Sequence, residues 1–321
     1  MKRMICLILA LAMIFALAAC GGKEVPVVTT ATEVTEVTVE IDEAVVPEET
    51  TEEAVPETTE APITVYETTD TVLLDNEFCS FSVGSASDND LAGMQVQVTC
   101  VNKTEESLDF SWNTVSVCGM MYDPLWTLTV PAGETVTGMV EIDTYALETM
   151  DIQAPDEITF QLNVLSTENW MDAPYGEGYF TIYPTGLSAD TVIYPVREAL
   201  ASEVVLVDDD NLTFIIEFVE EQDLSYVVRC YIANKTQSTL MTSWENVMVN
   251  GQALDPFWTS LLAPGKSAYA QVHFDNGELQ ELGIEKVEEI TFNLMAYDYA
   301  DWMEVLNLPT TYQPVEEIAL G

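Results

Sequence analysis

Beyond residue 70, apolar and polar side chains alternate along much of the chain. Met94, Val96, Val98 and Cys100 are separated by Gln95, Gln97 and Thr99, while Ile158, Phe160, Leu162 and Val164 are separated by Thr159, Gln161 and Asn163. A period of two puts one set on each face of a pleated strand, so both segments predict half-buried β-strands. Further strands are predicted near 78–83, 107–117, 124–130, 135–142 and 179–183, with turns at Asn102-Lys103, Asp123-Pro124 and Pro131-Ala132-Gly133. The single helical turn in this pattern falls at Thr144–Met150. Many short strands with almost no helix predict an antiparallel sandwich.

The pattern then returns. Displaced by 132 residues, 102–133 falls on 234–265 without a gap and 14 of 32 positions are identical. Asn102-Lys103-Thr104 meets Asn234-Lys235-Thr236, Asp123-Pro124 meets Asp255-Pro256, and Glu157-Ile158-Thr159-Phe160 meets Glu289-Ile290-Thr291-Phe292. The helical turn is matched by Asn276–Leu282, and Ile290, Phe292, Leu294 and Ala296 repeat the last strong strand. The chain is thus read as two copies of one domain, 71–188 and 202–315, joined by a connector at 189–201.

The first 70 residues read differently. Residues 1–19 carry Lys2 and Arg3 before an apolar run from Met4 to Leu17, which is an export signal and is short of the roughly 20 residues of a spanning helix. Leu17-Ala18-Ala19-Cys20, followed by Gly21-Gly22, resembles the lipobox of bacterial lipoproteins. The resemblance implies cleavage before Cys20, lipidation of its thiol, and a protein held on the outer face of the cell membrane; a plain secretory signal is the alternative. From 20 to 70, Thr, Glu, Val and Pro dominate and no aromatic residue precedes Tyr66. So little hydrophobic bulk among so many like charges does not offset the entropy of ordering, so this segment is expected to be a disordered acidic stalk.

The Asn-Lys-Thr turn after a hydrophobic strand, the Gly-containing turn, and the Pro-Ala-Gly or Ala-Pro-Gly before another strand together resemble the immunoglobulin-like sandwich domains of secreted Firmicutes lipoproteins. They are similar, more loosely, to the immunoprotective-antigen type of secreted bacterial sandwich. The resemblance implies an all-β protein with two tandem antiparallel immunoglobulin-like sandwiches, and it brings no catalytic residues. The Cys…Trp…Cys spacing of antibody domains is absent, so no antibody-type disulfide is implied.

Charge narrows the functions further. Nine Lys and Arg against 55 Asp and Glu give a formal −46, so a phosphate backbone finds no cationic cluster and nucleic acid is excluded as a partner. One histidine, His273, removes His-rich zinc sites and leaves no support for a Ser/His/Asp or Cys/His catalytic group. No cofactor or metal motif is present, and an enzyme is not expected. Asp88-Asn89-Asp90, Asp208-Asp209-Asp210 and Glu220-Glu221-Gln222-Asp223 read as solvated turns, with a weak calcium site as the alternative at Asp208–Asp210. Both Asn-Lys-Thr sequons read as tight turns.

The remaining candidates are aromatic side chains and thiols. Trp112, Trp126 and Trp170 recur as Trp244, Trp258 and Trp302 while intervening positions drift, which favours a shared packing need. Trp170 and Trp302 are the exceptions singled out for binding, because each follows an irregular polar stretch after the last strong strand. Cys79 and Cys100 point inward from neighbouring strands and form a candidate disulfide, whereas Cys118 and Cys230 are expected to be free. Copy two has no cysteine in its first strand and has Ile232 in place of Cys100, so the fold does not need the bridge. The expected function is a lipid-anchored surface protein acting as a non-catalytic binding or spacer module, with the membrane and a protein or cell-wall ligand as partners. A solute-binding lipoprotein of a transporter and an extracellular hydrolase are the alternatives.

Overall fold

The alternation seen in the sequence becomes a pair of facing sheets in each copy. A computed structural model describes residues 64–66, 71–89 and 93–314, all within one compact unit, Thr59–Gly321. The export signal, Cys20 and nearly all of the stalk lie outside the described residues. Copy one comprises β1 (Thr64–Tyr66), β2 (Thr71–Asp75), β3 (Cys79–Asn89), β4 (Gly93–Asn102), β5 (Leu108–Val117), β6 (Met120–Met121), β7 (Thr127–Val130), β8 (Thr135–Ile142), α1 (Thr144–Thr149), β9 (Ile158–Ser166) and β10 (Gly176–Ile182). Copy two follows with β11 (Val204–Asp208), β12 (Leu212–Glu221), β13 (Ser225–Asn234), β14 (Leu240–Val249), β15 (Gln252–Ala253), β16 (Thr259–Leu262), β17 (Ser267–Asp275), α2 (Asn276–Glu281), β18 (Ile290–Asp298) and β19 (Glu304–Tyr312).

Strands β2, β3, β4 and β8 form one sheet of copy one, and β7, β5, β9 and β10 form the sheet opposite. Copy two repeats this as β11-β12-β13-β17 facing β16-β14-β18-β19. All pairings within each copy are antiparallel, and the order is that of an immunoglobulin-like sandwich. Thr64–Tyr66, within the segment assigned to the stalk, adds a short edge strand against Ala86–Asp88 of β3. β3 also continues through Asn89, where the acidic cluster had suggested a turn.

Side chains that alternate in sequence alternate in burial. Met94, Val96, Val98 and Cys100 are buried, and so are their counterparts in β13. Trp112 stacks on Phe160 with centroids 3.8 Å apart and planes 13° apart, and Trp244 stacks on Phe292 at 3.8 Å and 12°. Each indole also meets a second tryptophan, Trp126 at 5.8 Å and Trp258 at 6.0 Å, so an aromatic cluster forms each core.

The Asn-Lys-Thr turns are fasteners. Asn102 Nδ2 donates to the carbonyls of Glu106, Val130 and Pro131, and Asn234 Nδ2 donates to those of Ser238, Leu262 and Ala263. The following lysine clips an earlier turn, between β2 and β3 in copy one and between β11 and β12 in copy two. Lys103 Nζ reaches Asp75 and the Asn76 carbonyl, as Lys235 Nζ reaches Asp208 and the Asp209 carbonyl. With its amide nitrogen engaged three times and its side chain buried, neither asparagine presents a modifiable group.

The copies do not hang as separate beads on the connector. Met120 of β6 pairs in parallel with Ser267 of β17, which fuses one sheet of each copy into a nine-stranded sheet. The Ser267 amide donates to the Gly119 carbonyl at 3.0 Å. Beside it, the buried Glu157 carboxylate accepts from Lys266 Nζ at 3.2 Å and from Tyr194 Oη at 2.8 Å, joining copy one, copy two and the connector at one point. Gly119 is required here: its φ is +82°, and a Cβ would sit 3.3 Å from the Tyr194 ring.

Candidate interaction surfaces

The loop between the last two strands of each copy carries the same exposed pair. Trp170-Met171 lies between β9 and β10, and Trp302-Met303 lies between β18 and β19. Trp170 is 56% exposed and Trp302 55%, whereas Trp112 and Trp244 are 2% and 3% exposed. Trp126 and Trp258 are both half-buried. Equivalent indoles therefore share equivalent environments, and a packing need accounts for only two of the three pairs.

The copy-two tip is the more tightly built. Asp298 N–H donates to the Met303 carbonyl, Trp302 N–H to the Asp298 carbonyl, and Met303 N–H to Asp301 Oδ1. This knot holds Trp302 at φ +61°, a left-handed conformation that is a genuine outlier for so bulky a residue. Tyr299 stands beside it, ring centroids 5.7 Å apart. In copy one, Tyr175 closes the loop by an edge contact to Phe78 and a bond to the Glu106 carboxylate. Thr167 N–H donates to Ser107, at the start of β5, so this tip lies at the end of copy one opposite the β6 junction.

A second apolar feature was missed in the sequence. Leu125 and Phe257 are 85% and 74% exposed, and both have φ of +50°. Asp123 and Asp255 each accept the amide two residues on at 2.8 Å, which turns the chain and forces the apolar side chain outward. The signal was present as Asp-Pro-x-Trp with an apolar x in both copies.

Between the copies lies an open cleft of about 720 Å³, with Tyr122, Tyr145, Arg197, Glu217, Arg229 and Tyr269 among its walls. Its two arginines are already occupied. Arg197 bonds Glu217 and Glu203 and lies over the Tyr231 ring at 4.9 Å, and Arg229 holds Glu220 at 2.8 Å. Burial pushes the Glu217 carboxyl up against the opposing pull of Arg197, while the Arg197 hydrogen bond holds Glu203 below the usual carboxylate range. The other lysines of the described residues follow suit: Lys103, Lys235 and Lys266 are paired, and Lys286 is not free. Among the described residues, Lys103, Arg197, Arg229, Lys235 and Lys266 thus act as internal fasteners.

The candidate Cys79–Cys100 disulfide is not formed in this structure. Cys79, Cys100, Cys118 and Cys230 are all buried and free. Register keeps the two cysteines apart: Cys100 faces Phe81 and Cys79 faces Asn102, so they are diagonal rather than opposite. Diagonal neighbours stand roughly 7–8 Å apart at Cα, beyond the roughly 4.4–6.8 Å that a bridge spans. In copy two the same register places Leu212 opposite Asn234 and Ile232 opposite Phe214, so apolar side chains occupy both cysteine positions. These cysteines pack as small hydrophobes. Burial drives the Cys100 thiol to about 12 and raises Cys79 and Cys118.

His273 is exposed on β17 and bonds Ser225 at 3.2 Å. Asp208, the calcium alternative, is committed to Lys235 and Thr213. No cluster of metal-ligating side chains occurs among the described residues, and no helix among them is long and apolar enough to cross a membrane.

These features define a tandem immunoglobulin-like β-sandwich protein. No protein-family model matches the chain, and no curated protein does. Among solved structures it is similar to the Salmonella enterica SafA pilin in complex with the SafB chaperone, at 9% identity over 68% of this chain and 88% of that one, with a TM-score of 0.21. A likeness of that size carries no argument about this chain.

Proposed function

We propose that this is a non-catalytic binding module, tethered outside the cell membrane through lipidated Cys20 and raised from it by the acidic stalk at 20–70. The matched exposure of Trp170-Met171 and Trp302-Met303 supports this reading above all. Two copies that bury one tryptophan pair and half-bury another leave the third in solvent at the same place in both, where large aromatics serve as anchors for a partner. The test uses the complete mature protein and its Trp170→Ala/Trp302→Ala variant in pull-downs from the native envelope. A partner recovered by the first and lost by the second, with unchanged melting, supports the reading; identical recoveries overturn it. For the tether, Cys20→Ala should leave the precursor unprocessed or released, and a normally processed variant retained in the membrane overturns it.

The cleft between the copies favours a second reading, a solute receptor. It predicts a small neutral solute, since both arginines are engaged, and requires that Tyr269→Ala in the cleft wall change solute affinity while the tip variants do not.

A further inference from the structure

The partner of the tips can be given a chemistry. We infer that the Trp-Met loops receive a Lys- or Arg-rich polypeptide segment, an inference that rests on the binding role proposed above and names its occupant.

Three observations converge on this occupant. The first is the platform. Trp170 and Met171, and Trp302, Met303 and Tyr299, are exposed aromatic and thioether side chains close together in sequence, with the Tyr299 and Trp302 rings 5.7 Å apart. Aromatic faces attract ammonium and guanidinium groups through the ring quadrupole, and methionine adapts to the aliphatic stems of Lys and Arg. The second is the rim. Glu168 and Asp172 flank Trp170, and Asp298, Asp301 and Glu304 flank Trp302. Asp298 and Asp301 accept backbone amides of their own loop, which fixes their direction. The third is the absence of competition: each cation among the described residues is engaged elsewhere, and none lies within either tip segment. A formal −46 over the chain adds a field that draws cations toward the surface and repels anionic polymers and lipids.

A neutral glycan also stacks on tryptophan and its hydroxyls can donate to these carboxylates, but it carries no charge for their field to attract. Cationic side chains use both parts of the surface. The repeated tip gives one polypeptide two places to engage, or two polypeptides one each.

The experiment uses the complete mature protein and three probes: a Lys/Arg-rich peptide, the same peptide with each Lys and Arg replaced by Gln, and an N-acetylglucosamine oligosaccharide. Calorimetry and tryptophan fluorescence at low and at physiological salt supply the affinities. The basic peptide should bind at least about tenfold more tightly than its Gln counterpart, and less tightly at higher salt. Trp170→Ala/Trp302→Ala should cost about tenfold or more, with Trp170→Phe/Trp302→Phe retaining most of the affinity. Basic-peptide binding indifferent to both tryptophans overturns the inference, because the stalk or general surface charge is then the receptor. Trp-dependent preference for the oligosaccharide also overturns it, but leaves the tips as a binding site. No Trp-dependent binding of any probe removes the inference and counts against the binding role itself.

Discussion

The aromatic stacks supply the sharpest test of the duplication. Truncating Trp112 to Ala removes a 2% exposed indole that stacks on Phe160 at 3.8 Å and meets the edges or tilted faces of Phe81 and Trp126. Loss of a buried aromatic costs about 3–5 kcal/mol, and coupled aromatic pairs add to the burial term. Trp244→Ala should cost the same within about 1 kcal/mol, because its stack on Phe292 has the same spacing and tilt. Both indole N–H groups are buried without a hydrogen-bond partner, which sets Trp→Phe apart. Phenylalanine gives up ring area but relieves an unmet donor that costs about 1–3 kcal/mol, so Trp112→Phe and Trp244→Phe should fall well short of the alanine losses. Urea titrations followed by near-ultraviolet circular dichroism measure all four variants. At slopes of about 1–3 kcal/mol per molar, the alanine variants shift the midpoint by one molar or more. Alanine variants within about 0.5 kcal/mol of wild type, or a large loss in one copy alone, would refute the reasoning.

Other outcomes follow from the junction, the tyrosines and the thiols. Lys266→Ala strands the buried Glu157 carboxylate with Tyr194 as its remaining partner, and should cost about 2–3 kcal/mol and split unfolding into two transitions, read by calorimetry; a single unshifted transition contradicts this. Donation to Glu157 pushes Tyr194 up to about 12, and burial pushes Tyr312 to about 12 and raises Tyr226. Folded values above the unfolded value mean that this stability is intact below pH of about 10 and lost as pH rises through about 12, so melting temperature should fall across that window and fall less in Tyr194→Phe. Native protein should leave all four core thiols unmodified by a thiol reagent until denaturant is added, since burial withholds the thiolate. Joining Glu134→Lys with Gln252→Met and Ala253→Met should produce concentration-dependent chains of molecules by sedimentation, where the unaltered protein gives none.

Local features were legible because their causes are local. Alternation placed β4 and β9, and the displacement of 132 residues carried β5 to β14 and α1 to α2 with their bounds intact. Asn102 and Asn234 were readable as turn residues because their partners lie close in sequence or at the same offset in both copies. The irregular polar stretches likewise marked Trp170 and Trp302 as loop residues. What escaped depends on distance. Nothing at Met120 signals pairing with Ser267, and nothing at Glu157 signals a lysine 109 residues away. Inward direction was correct for Cys79 and Cys100, but a disulfide also needs register, which a period of two does not specify. β7 begins at Thr127 rather than 124 because Asp123 turns the chain through Leu125 first.

The junction shows what the second copy lacks. Its hairpin keeps the geometry that copy one uses for docking, with φ of +49° and +79° at Asn250 and Gly251 against +44° and +82° at Cys118 and Gly119. The receiving edge also exists in copy one, as the start of β8. Backbone shape alone would therefore let the second copy of one molecule dock on the first copy of the next, a head-to-tail contact that does not close and grows into fibres. The side chains oppose it. Exposed Gln252 and Ala253 stand where Met120 and Met121 dock, and Glu134 stands where Lys266 would be, so Glu289 would meet a like charge instead of a partner. One docking event is favoured and its repetition is opposed, which is specificity obtained by repulsion as well as attraction. The two copies differ at these junction positions, while Trp170-Met171 and Trp302-Met303 are the same in both. The docking groups occur in one copy and the exposed tryptophan–methionine pairs in both, so the junction and the proposed recognition surface use different parts of the fold.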